Sequence, residues 1–203
     1  NDGAAFAKAM SEDMKVTYTV QGMENLDKQG HYMLVSNHPL GAFDGISYIA
    51  VFGDFFPKIK VIVNDLLNAV EPLSDTFIPV NKHGAQSREA IRRLDEAFAS
   101  DAPLLMFPAG LVSRRGKKGV VADLEWQKMF VAKARQSGRD IIPLHFYGEN
   151  SSFFYKFAKF RRRIGLKFNI EMIYLPREVF RSKGKTFDVV VGKPIPHASL
   201  DDM

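Results

Sequence analysis

Residues 87–107 read SREAIRRLDEAFASDAPLLMF. From Ser87 to Ala99, Ile91, Leu94 and Phe98 recur at helical spacing with charges between them, and Leu104 to Phe107 follows as an unbroken apolar run. The first half reads as an amphipathic helix and the second as a buried strand. The same order returns downstream. Leu124 to Gln136 sets Trp126, Phe130 and Ala134 on one helical face, and Ile141 to Phe146 (IIPLHF) reads as the next strand. Upstream, Lys15 to Val20 (KVTYTV) alternates as a strand does, and His31 to Ser36 (HYMLVS) reads as a buried one. A helix is expected from about Asp44, as its cap, to Phe52, with short strands at Lys60 to Val63 and Phe77 to Val80. Gly192-Lys193-Pro194 reads as a strand exit, because no second glycine or Ser/Thr stands where a phosphate loop needs one. Alternating helices and strands predict an α/β fold with a mostly parallel central sheet flanked by helices. At 203 residues without a linker, one domain over 1–203 is expected.

Composition narrows the function classes. Hydrophobic residues make up 46% and charged residues 25%, which excludes disordered and coiled-coil classes. With no cysteine there is no disulfide, thiolate metal site or Cys nucleophile, so nucleophilic chemistry falls to hydroxyls, water or the substrate. Seventeen Phe against one Trp suit a filled core or a greasy ligand surface. The formal charge of +5 favours an anionic partner, and an anionic membrane surface fits better than nucleic acid, for which no binding motif is found. No apolar run approaches the roughly 20 residues that span a bilayer. Asn1 to Met14 does not read as a signal peptide, and a first residue other than Met leaves room for an anchor upstream.

Residues 152–164 (SFFYKFAKFRRRI) place Phe153, Phe157, Phe160 and Ile164 on one narrow helical face, flanked by Lys156, Lys159 and Arg163. Such a helix suits a membrane interface, with its rings among acyl chains and its cations at lipid phosphates. A helix packing its Phe face on the sheet has the same pattern. Lys117, Lys118 and Arg161 to Arg163 read as a solvated face.

Two stretches carry chemistry. In residues 35–46 (VSNHPLGAFDGI) a buried strand ends at Asn37 and His38, and Asp44 opens the next helix. A His with a carboxylate partner is the minimum apparatus for deprotonating a hydroxyl. A His beside a helix cap serves structure as readily, and the loop has to fold back for the two to meet. In residues 104–115 (LLMFPAGLVSRR) a strand runs into Phe107-Pro108-Ala109-Gly110 and then Ser113, Arg114 and Arg115, a layout suited to gripping an anionic headgroup. His31, His145 and His197 read as structural or exposed.

These stretches fall into an order that resembles the glycerolipid acyltransferases, which include the lysophosphatidic acid acyltransferases. Val20 to Leu26 leading to Ser36-Asn37-His38 and Asp44 is similar to the family's His-to-Asp block. Phe77-Ile78-Pro79-Val80-Asn81-Lys82 resembles the acceptor block, Phe107 to Gly110 with Ser113-Arg114 the third, and Ile142-Pro143-Leu144 the fourth. They span about residues 15 to 150. The resemblance implies His38 and Asp44 as catalytic residues. Asn37, Asn81, Lys82, Phe107, Pro108, Gly110, Ser113, Arg114 and Arg115 are implied at the substrate.

Two departures matter. Five residues lie between His38 and Asp44 where the family has four, and Phe43 stands at the usual Asp distance. Ala109 replaces the family's Glu, which points to an acceptor other than ordinary glycerol phosphate, and the spacing resembles a bacterial branch acting on lyso-amino-acid lipids. The implied reaction is one-step acyl transfer from an acyl carrier protein or coenzyme A thioester to a lysolipid hydroxyl. Backbone N–H groups, or donors near Gly110 and Asn37, would hold the oxyanion. This chemistry requires neither metal nor organic cofactor. A membrane-associated enzyme on the cytoplasmic face is expected. The alternatives are a lipid-binding module of the same fold and a thioester hydrolase, separated by whether ester, free acid or neither is formed.

Overall fold

A computed structural model describes residues 2–64, 71–80, 87–116 and 118–202. Helix α1 (Asp2–Asp13) precedes strand β1 (Thr17–Gln21), and β2 (Tyr32–Ser36) leads into α2 (Ala42–Phe52). Then come β3 (Lys60–Asn64), β4 (Phe77–Val80), α3 (Arg88–Ala99) and β5 (Leu104–Met106). A small hairpin of β6 (Arg114–Arg115) and β7 (Val121–Ala122) follows, then α4 (Met129–Gln136) and β8 (Asp140–Tyr147). Helix α5 (Ser152–Arg163), a 3-10 helix (Ile170–Tyr174) and α6 (Leu175–Phe180) form an excursion before β9 (Thr186–Val191).

Seven strands form one sheet in the order β1-β9-β8-β2-β5-β3-β4. All neighbours run parallel except β8 and β9. The expected mostly parallel α/β domain is therefore present. At its centre every residue of β2 is buried, as an apolar strand covered on both faces must be. Successive side chains point to opposite faces. Leu34 joins the layer packed under α1 and α2, while Met33 and Val35 join Ile141 and Ala134 of α4 on the other side.

Ser87 accepts a hydrogen bond from the Ala90 N–H and starts α3 as its sequence suggests. At the far end of that helix the fully buried Arg139 donates to the carbonyls of Ala97, Phe98 and Ala102. A cation there satisfies terminal carbonyls and opposes the helix dipole.

Three expectations need correction. Asp44 is not the cap of α2, which starts two residues earlier with Gly41 at its N-cap. Helix α4 starts at Met129, not Leu124, and the preceding residues form an extended connection that holds Asp123 and Trp126. Arg161 is buried rather than solvated, for reasons given below. Lys117 lies outside the described residues.

Candidate active site

Parallel strands deliver reactive groups at their carboxyl ends, and β2 and β5 do so side by side. His38 follows β2 and Phe107 follows β5, and their rings meet at a tilt with centroids 4.3 Å apart. Between His38 and α2 the chain reverses at Gly41, whose φ of 83° and ψ of −136° lie in a region L side chains rarely enter. A Cβ there would also come within 2.9 Å of Leu175 in α6. This reversal brings Asp44 back beside His38 across the five intervening residues. Asp44 becomes the third residue of α2, and its carboxylate accepts the N–H groups of Leu40 (2.9 Å) and Gly41 (3.1 Å). It thereby serves the helix end from inside the first turn.

The same carboxylate faces the histidine. His38 Nδ1 lies 3.0 Å from Asp44 Oδ2, with the ring N–H direction turned off the oxygen, so the pair is at ion-pair distance short of an aligned hydrogen bond. Unliganded sites commonly hold such pairs loosely and tighten them around substrate. Asp44 is fully buried, while the His38 side chain keeps 18% of its exposure. Burial pushes the Asp44 carboxyl up, and His38 and the two backbone N–H groups pull it back toward the ionised form. With Nδ1 facing Asp44, Nε2 is the ring nitrogen not directed at the carboxylate.

The Phe107 block is a turn closed by the Gly110 N–H on the Phe107 carbonyl (2.9 Å), with Gly110 at φ 62°. The Pro108 carbonyl accepts the Gln127 N–H at 3.1 Å, and Ala109 is buried where the acidic family residue would stand. Ser113 is buried and its N–H donates to the His38 carbonyl at 2.8 Å. Both ends of the Asn37 amide are engaged with the backbone of Phe146: Oδ1 accepts its N–H (2.7 Å) and Nδ2 donates to its carbonyl (2.9 Å). That side chain ties the ends of β2 and β8 together beneath the site.

The two arginines are less free than the sequence suggests. Arg114 is buried, donates Nη2 to Glu171 at 2.8 Å and lies over the Phe154 ring. Its Nη1 is buried without a hydrogen-bond partner among the described residues, and burial lowers the pKa of Arg114 against the pull of Glu171. Glu171 also accepts from Arg161 Nε at 3.1 Å, which explains the burial of Arg161 within a charge run. Arg115 reaches Glu149 (3.0 Å) and Ser152 (3.2 Å) and covers the Tyr155 ring. Asn81 and Lys82 lie outside the described residues.

The other described histidines are elsewhere, and His83 lies outside the described residues. At the opposite end of β2, both ring nitrogens of His31 face carbonyls, of Gly138 and Ser100. His197 pairs with Asp140, and exposed His145 packs edge-on against Tyr147.

A profile of the acyltransferase family matches residues 3–202. The chain belongs to the acyltransferase family. It is 45% identical over 200 residues to a lyso-glycine lipid O-acyltransferase of Bacteroides thetaiotaomicron, covering 98% of this chain and 73% of that one. A lyso-glycine lipid O-acyltransferase of Phocaeicola vulgatus is 43% identical over 200 residues, covering 98% and 71%. The crystal structure of the 1-acyl-sn-glycerophosphate (LPA) acyltransferase PlsC from Thermotoga maritima superposes with a TM-score of 0.58 at 16% identity, over 97% of this chain and 68% of that one. At that identity the likeness is one of fold.

Within this acyltransferase, His38, Asp44, Phe107 and Ser113 meet at one place, and Arg114 and Arg115 stand next to them in sequence on β6. Asp123 and Glu171 were not anticipated. Glu171 is remote in sequence from Arg114 and Arg161, as Asp123 is from His38 and Ser113.

Proposed function

We propose that the protein moves a fatty acyl chain from a thioester, on acyl carrier protein or coenzyme A, to the hydroxyl of a lyso-amino-acid lipid of the glycine-lipid type, in membrane lipid biosynthesis. The observation that carries this reading is the His38–Asp44 pair at 3.0 Å, in a chain 45% identical to a lyso-glycine lipid O-acyltransferase. His38 Nε2 takes the acceptor's hydroxyl proton as the oxygen attacks the thioester carbonyl. Asp44 stabilises the imidazolium that forms. The C–S bond then breaks and the thiolate leaves with that proton. The thioester is already activated, so no acyl-enzyme is required. Nη1 of Arg114, unpartnered among the described residues, is the group offered to the acceptor's carboxylate, with Arg115 as a second cation. The absence of a carboxylate at Ala109 removes a repulsion that such an acceptor would meet.

Purified protein given a labelled acyl thioester and a panel of lysolipids tests this directly. New ester is expected with the amino-acid lysolipid and less with lysophosphatidate. Free fatty acid in place of ester makes the protein a hydrolase, and neither product makes it a binding module.

The enzyme is further proposed to work as a peripheral protein at the cytoplasmic face of a membrane, where its donors are made and its acceptors reside. Among the described residues no helix is long and apolar enough to cross a membrane. Phe153, Phe160 and Ile164 of α5 are exposed, as are Phe168, Ile173 and Phe180 after it. Phe157 is half-buried, stacked on Phe153 and edge-on to Tyr174. Lys156, Lys159, Arg163, Lys167 and Arg177 are exposed among them. The two acids between residues 152 and 187, Glu171 and Glu178, are both buried. An apolar surface with cations at its rim and no exposed acid is complementary to anionic lipid. Each cation contributes roughly 1 kcal/mol near such a surface and is screened by salt. The protein is therefore expected to sediment with anionic vesicles at low salt and release in part at high salt. Phe160→Ser with Phe168→Ser should abolish most of the salt-resistant fraction. Unchanged sedimentation of that folded double variant removes this surface from consideration.

A further inference from the structure

Asp123 lies between β7 and α4, outside the four sequence blocks described above. Its carboxylate nevertheless gathers three segments. Oδ1 accepts the backbone N–H of His38 at 3.1 Å and the hydroxyl of Ser113, and Oδ2 accepts the indole N–H of Trp126 at 2.9 Å. Ser113 in turn donates its own N–H to the His38 carbonyl at 2.8 Å. The N–H and the C=O of the base are thus both held, one by Asp123 and the other by a residue whose side chain Asp123 binds.

We propose that Asp123 is a positioning residue for acyl transfer, fixing the His38 backbone so that Nε2 meets the acceptor hydroxyl, without itself touching substrate. The proposal rests on the reading of His38 as the base. The physical need arises from the loop. His38 has left β2, its successor Pro39 has no N–H, and the chain turns back at Gly41. Asp44 and Phe107 constrain the ring at Nδ1 and on one face, but the place of Nε2 also depends on where the Cα is anchored. A base has to come within about 2.6–3.2 Å of the proton it takes. A carboxylate suits the anchoring task because one oxygen can accept two donors at once, and charge-assisted acceptance is stronger than neutral. Trp126 engages the other oxygen and so fixes the rotation of the carboxylate. The hydroxyl of Ser113 is thereby directed to Asp123 instead of the substrate, which gives that residue a place in the site without a chemical step.

A positioning role differs from a merely structural one in what it moves. Loss of the acceptor should lower kcat and leave both KM values unchanged, whereas a damaged pocket raises KM and a damaged fold lowers the active fraction. Asp123→Ala is expected to lose about 10- to 100-fold in kcat, the scale of a misplacement of roughly 1 Å. Asp123→Asn keeps an oxygen for His38 and Ser113 but turns its NH2 against the Trp126 indole N–H. Combining it with Trp126→Phe removes that clash. The double variant should recover most of the turnover of Trp126→Phe alone, because hydrogen-bond geometry and not charge is what positions the base.

The experiment measures kcat and both KM values for these variants beside His38→Ala, each verified as folded by circular dichroism. Wild-type kcat in folded Asp123→Ala overturns the proposal. So does a folded double variant with lost turnover, and this arm decides the matter if Asp123→Ala does not fold. Full activity in His38→Ala would remove the base itself, whereas inactive His38→Ala beside fully active Asp123→Ala removes only the positioning role.

Discussion

His38→Ala should keep its fold and lose at least about 100-fold in turnover, the usual scale for loss of a general base. The ring is partly exposed and makes its contacts at the rim of the core, with Phe107 and Asp44. Removing it leaves Asp44 buried without the imidazole beside it, a state relieved by protonation, since burial already pushes that carboxyl up. The activity effect should therefore exceed the stability effect. Steady-state turnover and thermal melting of the same preparation separate the two. Near-normal turnover in a folded variant would mean that another group takes the proton. Asp44→Asn should show a smaller loss than His38→Ala, because the amide oxygen still accepts from Leu40 and Gly41 but carries no charge to stabilise the imidazolium. A fully active Asp44→Asn would show that the pair's geometry does not enter the reaction.

The largest stability effect is expected at Glu171. It is fully buried between two arginines, accepting from Arg114 and from Arg161. Arg161 additionally donates to the Leu166 carbonyl at 2.8 Å and to Asn169 Oδ1 at 2.7 Å, so it cannot leave without undoing that turn. Glu171→Ala leaves two buried guanidinium groups with no anion between them. Breaking a buried ionic network from one side costs about 3–5 kcal/mol. Urea denaturation should show a loss of this size, and a change under about 1 kcal/mol, the range of a surface pair, would mean the three charges are hydrated. Because Glu171 also orients Arg114, the acceptor KM should rise in any fraction that remains folded.

What the sequence made legible follows from where burial and local period coincide. Strands β2 and β5 and helix α3 were readable because a strand covered on both faces is apolar throughout and a helix lying on a sheet shows its 3.6 period. The end of β2 just before His38 and the Phe107 turn were readable for a similar reason, as each sits where an apolar run stops. The meeting of His38 with Asp44 was harder to read. The five-residue interval departs from the family's spacing and required the loop to fold back, and the backbone reversal at Gly41 is where it does so.

The remainder depends on contacts between distant segments. Leu124 to Trp126 looked like the start of a helix because Trp126 and Phe130 are four apart, and their rings do pack together with centroids 5.9 Å apart. The helix nevertheless starts later, as Asp123 is engaged by His38 and Ser113. Arg161 sat in a run of three arginines with nothing local to mark it as buried. Its partner Glu171 lies beyond the end of α5, and the shared partner Arg114 lies across the molecule in sequence. The exposed residues Phe168, Ile173 and Phe180 follow no helical period, so the surface they extend was visible only in the part contributed by α5.

The most direct measurement is a rapid-quench single turnover, with enzyme in excess over a labelled acyl thioester and with lyso-glycine lipid present. Label should pass from thioester to lysolipid ester in one phase, with none held on the protein, and the phase should vanish in His38→Ala. Label that accumulates on the protein before reaching lipid, or that ends as free fatty acid, would contradict direct transfer by a His38 base.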